Sequence, residues 1–368
     1  MADILNSRSD GRTIKIIDET GIPYGIKQVD GKPRVSAMPY LYDIGEGNIT
    51  GHTSWTKIGY SPTINTAESS VWSKAGLYVF PTSTGFRGDV VSDSAGDEDT
   101  GTVIFSGTSN GGSTTTLIDT TKTFTGGTAV EVGDCIILDK SGTTPEWGYV
   151  TTIAATTLTC SGGFSSGGTG SVRTYSVINK NAAGKTGAHA VKLEYLTSTF
   201  AEKSEIVILD GNAPVNTVNT DIYRINSFRV IAGAKCIGNL SFRISGGATT
   251  YSYITAGFTR ARNSAYTVPI NKTLYVTQWS IGWSTPNDTK VQSARFYTKA
   301  NIEPSTHFLT RDLFYPYTEV ICSNEEIIIY FDIPTKLLTG TDIVINGTAA
   351  TAGSGPAVSV LRGWLETS

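Results

Sequence analysis

The sequence predicts an all-β protein, on three observations. Gly is abundant at 40 of 368 residues, in a background dense in Thr and Ser. Apolar residues come in short alternating runs broken by turn residues, a pattern of period two. No long stretch has the i, i+3, i+4 spacing of an amphipathic helix. A catalytic α/β fold would need helical stretches between its strands, and none is legible. The finer expectation is a jelly-roll-like β-sandwich with an extended N-terminal arm and an inserted small β-barrel or sandwich module.

Residues 1–60 read as the arm. Pro23, Pro33 and Pro39 and many glycines interrupt apolar pieces too short to form a core. Its Tyr40, Tyr42 and Trp55 are unusual for a disordered tail and mark it as a segment laid over another surface. A short helix is expected at 67–75, with Gly76 as its stop.

From residue 102 to 178 charge nearly vanishes. Strands are expected at Thr114–Asp119, Thr128–Glu131, Asp134–Asp139, Trp147–Ile153, Thr156–Cys160 and Val172–Ile178, forming the inserted module. The main domain, 61–101 with 179–368, carries strands from His189–Tyr195 to Ala357–Leu365, about one every ten residues. It is divisible near residue 262. Thr249–Thr255 and Asp342–Asn346 are expected as sparsely charged sheet edges, and Phe314–Tyr317 as an apolar turn.

Composition excludes several functions. A formal charge of -3, with no local basic cluster visible along the chain, argues against nucleic acid. No apolar run is long enough to span a bilayer, and no basic-then-apolar leader opens the sequence. Cys135, Cys160, Cys236 and Cys322 lack zinc-ligand spacing. They read as reduced packing residues, with Cys135–Cys160 the pair to watch for a bridge.

The chemical motifs are weak. Gly107-Thr108-Ser109-Asn110-Gly111 spells a nucleophile elbow without the helix that must follow it. Asn179–Thr186 ends like a phosphate loop but runs into a strand. Asp93, Asp97, Glu98 and Asp99 form the one acidic cluster able to offer hard oxygen ligands to Ca²⁺, with Asp93, Asp97 and Asp99 the candidate ligands. No catalytic residue and no cofactor is expected. Aromatics at Phe314, Tyr315 and Tyr317, with Tyr40, Tyr42 and Trp55, are the expected partner contacts.

Three stretches carry a resemblance. They are Pro39–Asn48 running into Gly51-His52-Thr53, then Ile58–Pro62 with Val71–Ser73 and Gly76–Pro81, then Glu205–Gly211 with Tyr223–Asn226 and Tyr266–Thr273. Together they resemble a group of uncharacterised structural proteins of tailed bacteriophages. The resemblance implies a virion component that is not an enzyme and that is made in the host cytoplasm. Its implied partners are itself, as a homo-oligomer with a trimer favoured, and other virion proteins such as the major capsid protein. Capsid decoration is the first expectation. A tail, neck or baseplate role with contact to a host surface glycan is the second.

Overall fold

The computed structural model describes residues 27–29, 32–34, 44–98, 103–126, 130–140, 145–161, 164, 172–180, 186–283, 292–301, 315–322, 326–349 and 355–367. The chain is all-β, built from several antiparallel sheets with almost no helix. It divides into two compact units, Met1–Thr50 and Gly51–Ser368. In the first, strands β1 (Lys27–Val29) and β2 (Lys32–Arg34) form an antiparallel pair.

The second unit opens with β3 (His52–Ser61), so the expected arm boundary at 60 falls inside a strand. There follow β4 (Ser69–Ser70) and β5 (Gly88–Ser92). The helix expected at 67–75 is absent. Instead the chain turns sharply through Ala75 and Gly76, both at positive φ, while Trp72 donates its indole N–H to Gly76 O at 2.9 Å. Burial of Val71 and Trp72 on different cores overrides the local helix preference.

Between Val103 and Ile178 lie β6 (Val103–Thr108), β7 (Gly111–Gly112), β8 (Thr116–Ile118), β9 (Cys135–Leu138), β10 (Glu146–Ile153), β11 (Thr157–Ser161) and β12 (Thr174–Ile178). All seven make one sheet, in the order β6-β12-β9-β10-β11-β8-β7. Its own core holds Leu117, Phe124, Ile136, Leu158, Tyr175 and Val177. Cys160 faces this core, whereas Cys135 faces away from it into a different cluster. The two thiols are free because they sit on opposite sides of the sheet.

Next come β13 (Ala188–Leu196), β14 (Glu202–Ile208), β15 (Val215–Asn216), β16 (Arg224–Gly233), β17 (Leu240–Ile244) and β18 (Thr250–Ile254). Sheet β14-β13-β16 packs on sheet β15-β5-β17-β18 through Val90, Leu193, Phe228, Leu240 and Phe242. This is the middle sandwich, and β18 is one of its edges.

Last come β19 (Tyr266–Thr267), β20 (Lys272–Trp283), β21 (Gln292–Ala300), β22 (Tyr315–Cys322), β23 (Glu326–Leu337), β24 (Thr341–Ala349) and β25 (Ala357–Thr367). Sheet β23-β20-β25-β3 faces sheet β19-β24-β21-β22, with β4 also pairing β24. Trp279, Phe296, Leu274, Ile343, Ile345 and Leu361 fill the space between them. Two expectations fail in this C-terminal sandwich. Asp342–Asn346 lies inside a sheet, between β21 and the β19/β4 position. Tyr315, Pro316 and Tyr317 begin an edge strand rather than a turn. Pro316 is accommodated there because the β21–β22 register shifts at Phe296/Tyr297, and an edge strand at a bulge tolerates a missing N–H.

The architecture is nested. The seven-stranded module interrupts the middle sandwich between β5 and β13. The middle sandwich in turn interrupts the C-terminal one between β4 and β19, which both pair with β24. A buried ion pair links the two sandwiches. Arg224 of β16 donates Nε to Asp342 Oδ1 (3.0 Å) and Nη2 to Oδ2 (3.0 Å), and Nη1 to Pro81 O (2.6 Å). Thr267 Oγ1 donates to the same carboxylate at 2.5 Å. Burial pulls the Arg224 guanidinium down, but Asp342 beside it reverses that and leaves its pKa raised.

Candidate functional site

A groove of about 650 Å³ runs between the two sandwiches. One wall is β3, from Trp55 to Ile58. The other is β16, from Ile225 to Arg229, with the 258–263 segment closing the end beside Tyr266. The wall at β16 is made rigid by main-chain bonds from Val230 N to Thr259 O (2.7 Å) and from Ala261 N to Phe228 O (2.9 Å).

Four cations meet here: Lys57, Arg229, Arg260 and Arg262. The sequence hid this cluster, since Lys57 lies far along the chain from the three arginines, and the expectation of no basic cluster is corrected by the fold. One carboxylate, Glu194, shares the groove. It is already engaged by Lys192 at 3.0 Å and by Arg229 at 3.6 Å. Burial opposes its charge, but Lys192 and Arg229 hold its pKa below the usual carboxylate range. Among the described residues neither Arg260 nor Arg262 pairs with a carboxylate.

Three of the four are constrained. Arg262 is clamped between the rings of Tyr60 (3.9 Å) and Phe258 (3.7 Å). Burial lowers its pKa. Its Nε is buried and meets no acceptor, as is Nε of Arg229. A buried charged donor left unsatisfied costs at least ~1–3 kcal/mol. Lys57 donates to Asn226 O at 2.6 Å and lies 5.8 Å from the Tyr266 ring centre. Burial pushes its ammonium down to about 8, partly opposed by Glu194.

The expected site residues fall in different places. Trp55 is only 8% exposed, so it lines the groove from within the core, its ring 5.0 Å from Tyr266. Tyr40, Tyr42, Phe314 and Asp99 lie outside the described residues, and of Tyr315 and Tyr317 the backbone alone is described.

The acidic cluster has another job. Asp97 is fully buried and accepts hydrogen bonds from Ser92 Oγ (2.7 Å) and from the N–H groups of Ala188, Ile237 and Gly238 (2.8 Å each). Asp93 accepts from Asn239 N (2.6 Å) and Nδ2 (2.7 Å). Asp97 ties the chain entering the module to the chain leaving it at Ala188, and Asp93 ties it to Asn239. Gly187 is needed at that crossing, because a Cβ there would lie 2.1 Å from Asp97 Oδ1. Among the described residues no group of three metal-ligating side chains comes together. Ser109, the elbow serine, accepts from Arg173 N at 3.1 Å at a strand end with no helix after it.

The chain matches no protein-family model, no curated protein and no solved structure. Groove and fold therefore carry the functional argument.

Proposed function

We propose that this protein is a structural component of a tailed-bacteriophage virion, with capsid decoration as the leading role. The observation that carries the reading is strand order in the C-terminal sandwich. Counting β4 and β19 as one position, its eight strands in chain order form sheets 1-8-3-6 and 2-7-4-5. We read that interleaving as a jelly roll, an architecture common in viral capsid and lectin domains. The step from fold to virion is an analogy; the phage-like stretches of sequence point the same way.

Self-association fits the same sandwich. The outer face of sheet β23-β20-β25-β3 presents Ile58, Val358, Ile328 and Tyr330, exposed at 40, 43, 45 and 69%. Ile58, Val360, Ser280 and Ile328 are cross-strand neighbours, so three apolar positions and one buried serine form a belt across the sheet. A closed homo-oligomer, with a trimer favoured by analogy, buries such a belt. Immunogold labelling of purified particles with an antibody to this chain tests the assignment. Head labelling supports decoration, tail labelling moves the role to the neck or tail, and unlabelled particles with label only in host lysate refute it.

A second reading, a tail, neck or baseplate protein that contacts a host surface glycan, is favoured by one observation, the cationic groove.

A further inference from the structure

We propose that the groove between the sandwiches is a binding site for a carboxylated saccharide. The inference rests on the groove alone and stands whether the protein sits on head or tail.

Charge comes first. The chain is acidic overall at -3, yet the groove concentrates Lys57, Arg229, Arg260 and Arg262 against a single Glu194. A surface built only for solubility intersperses its charges. Here Glu194 is spent on Lys192 and Arg229, and two arginines are left over among the described residues. The arrangement is complementary to an anion that is not part of the chain.

Geometry narrows the anion to one that presents a two-oxygen fork, such as a carboxylate. Stacking between Tyr60 and Phe258 fixes the plane of Arg262, leaving the guanidinium only its edge for hydrogen bonding. A planar fork offered edge-on matches a two-oxygen planar acceptor. Because the side chain is already ordered, little rotamer freedom is lost on binding.

The rest of the lining favours a sugar. Exposed Thr56 and Thr259 bring hydroxyls to the rim, and Phe258, 41% exposed, brings an aromatic surface. About 650 Å³ holds roughly two or three sugar rings, within the usual range for ligand sites. An acidic peptide fits less well, since on the β16 wall Val230 N and Phe228 O already have main-chain partners. Nucleic acid would need a basic track extending past the groove, and the net acidic chain argues against one.

Isothermal titration calorimetry on the full chain tests this. The probes are trigalacturonate, sialyllactose, the methyl ester of trigalacturonate, hexaglutamate and inorganic phosphate. At least one of the two acidic sugars should bind at one site per chain, with trigalacturonate at least tenfold tighter than its ester if it is the binder. Arg260→Gln, an exposed position that leaves the core intact, should weaken that binding at least tenfold while the far-ultraviolet circular dichroism stays unchanged. Lys57→Gln, on the opposite wall, should weaken it too. Absence of binding by both acidic sugars at 10 mM (~100-fold weaker than a 0.1 mM site) overturns the proposal. So does an Arg260→Gln protein that binds like wild type. Hexaglutamate or phosphate binding as tightly as the best sugar would reassign the site to an acidic peptide or a simple anion.

Discussion

Replacing Arg224 with Met should loosen the joint between the two sandwiches more than any other single surface-neutral change. Arg224 is 3% exposed and Asp342 fully buried. Met keeps much of the aliphatic stem but deletes five hydrogen bonds, three to the carboxylate and one each to Pro81 O and Tyr223 O. Asp342 would then be a buried charge with Thr267 as its chief remaining donor. Stranding one member of a buried pair costs ~3–5 kcal/mol. Replacing both partners by apolar residues costs far less, so Arg224→Met with Asp342→Leu should recover at least ~2 kcal/mol of the loss. Urea denaturation of wild type, both single variants and the double variant gives the coupling directly, provided all four unfold with one slope. A single-variant loss below about 1 kcal/mol, or strict additivity in the double variant, would refute the view that this pair joins the sandwiches through charge.

Other outcomes follow from the same geometry. Excising residues 102–178 for a short linker should leave both sandwiches folded, since Gly187 N bonds Gly96 O at 3.2 Å where the chain enters and leaves. It should also cause aggregation, because Ile206, Ile231 and Ala232 lose their cover of Cys135, Ile137 and Ile178; adding Ile206→Thr and Ile231→Thr should restore solubility in size-exclusion chromatography. Asp97→Ala should cost ~3 kcal/mol in thermal or urea unfolding, through lost charge-assisted bonds to three amides and a hydroxyl. Lys57 has its pKa lowered from 10.5 to about 8, so the unfolded chain binds more protons across that window and stability rises with pH there. Discounting the full shift for its partial exposure, wild type should gain ~1–2 kcal/mol over Lys57→Met between pH 8 and 10.5. Ile328→Asp with Tyr330→Asp should shift light-scattering mass toward monomer, and an unchanged oligomer would show that the sheet face is not the interface.

The all-β class was plain from period-two runs and turn residues, and most long strands of the C-terminal half stand near where alternation puts them. What escaped was set by tertiary packing. β3 points Trp55, Gly59 and Ser61 inward, and with one large apolar side chain among three its alternation is invisible to a hydrophobicity reading. Gly59 has to be small because a Cβ there would meet Val71 O at 2.4 Å. Asp93 and Asp97 looked like ligands because sequence shows carboxylates and not the amides of Ala188, Ile237 and Gly238 that reach them from distant segments. The groove was unreadable for the same reason: Arg229 and Arg260 meet only across a β-bridge, and Lys57 joins the arginines only when the two sandwiches close on each other.

The nesting has a consequence for how the chain is made. β3 finds its ladder on β25, with Trp55 opposite Gly363 and Ser61 opposite Ala357. A ribosome must add roughly 300 residues after β3 before its partner exists, a wait of about 15–60 s at 5–20 residues per second. In that interval the module can close first and the middle sandwich second, each from contiguous or once-interrupted chain. The C-terminal sandwich can only close last, since β3 and β25, neighbours in one sheet, come from opposite ends of the unit. Its final strand therefore acts as a completion check: a product cut short anywhere before Ala357 leaves β3 and β20 with bare edges, open to pairing with other chains.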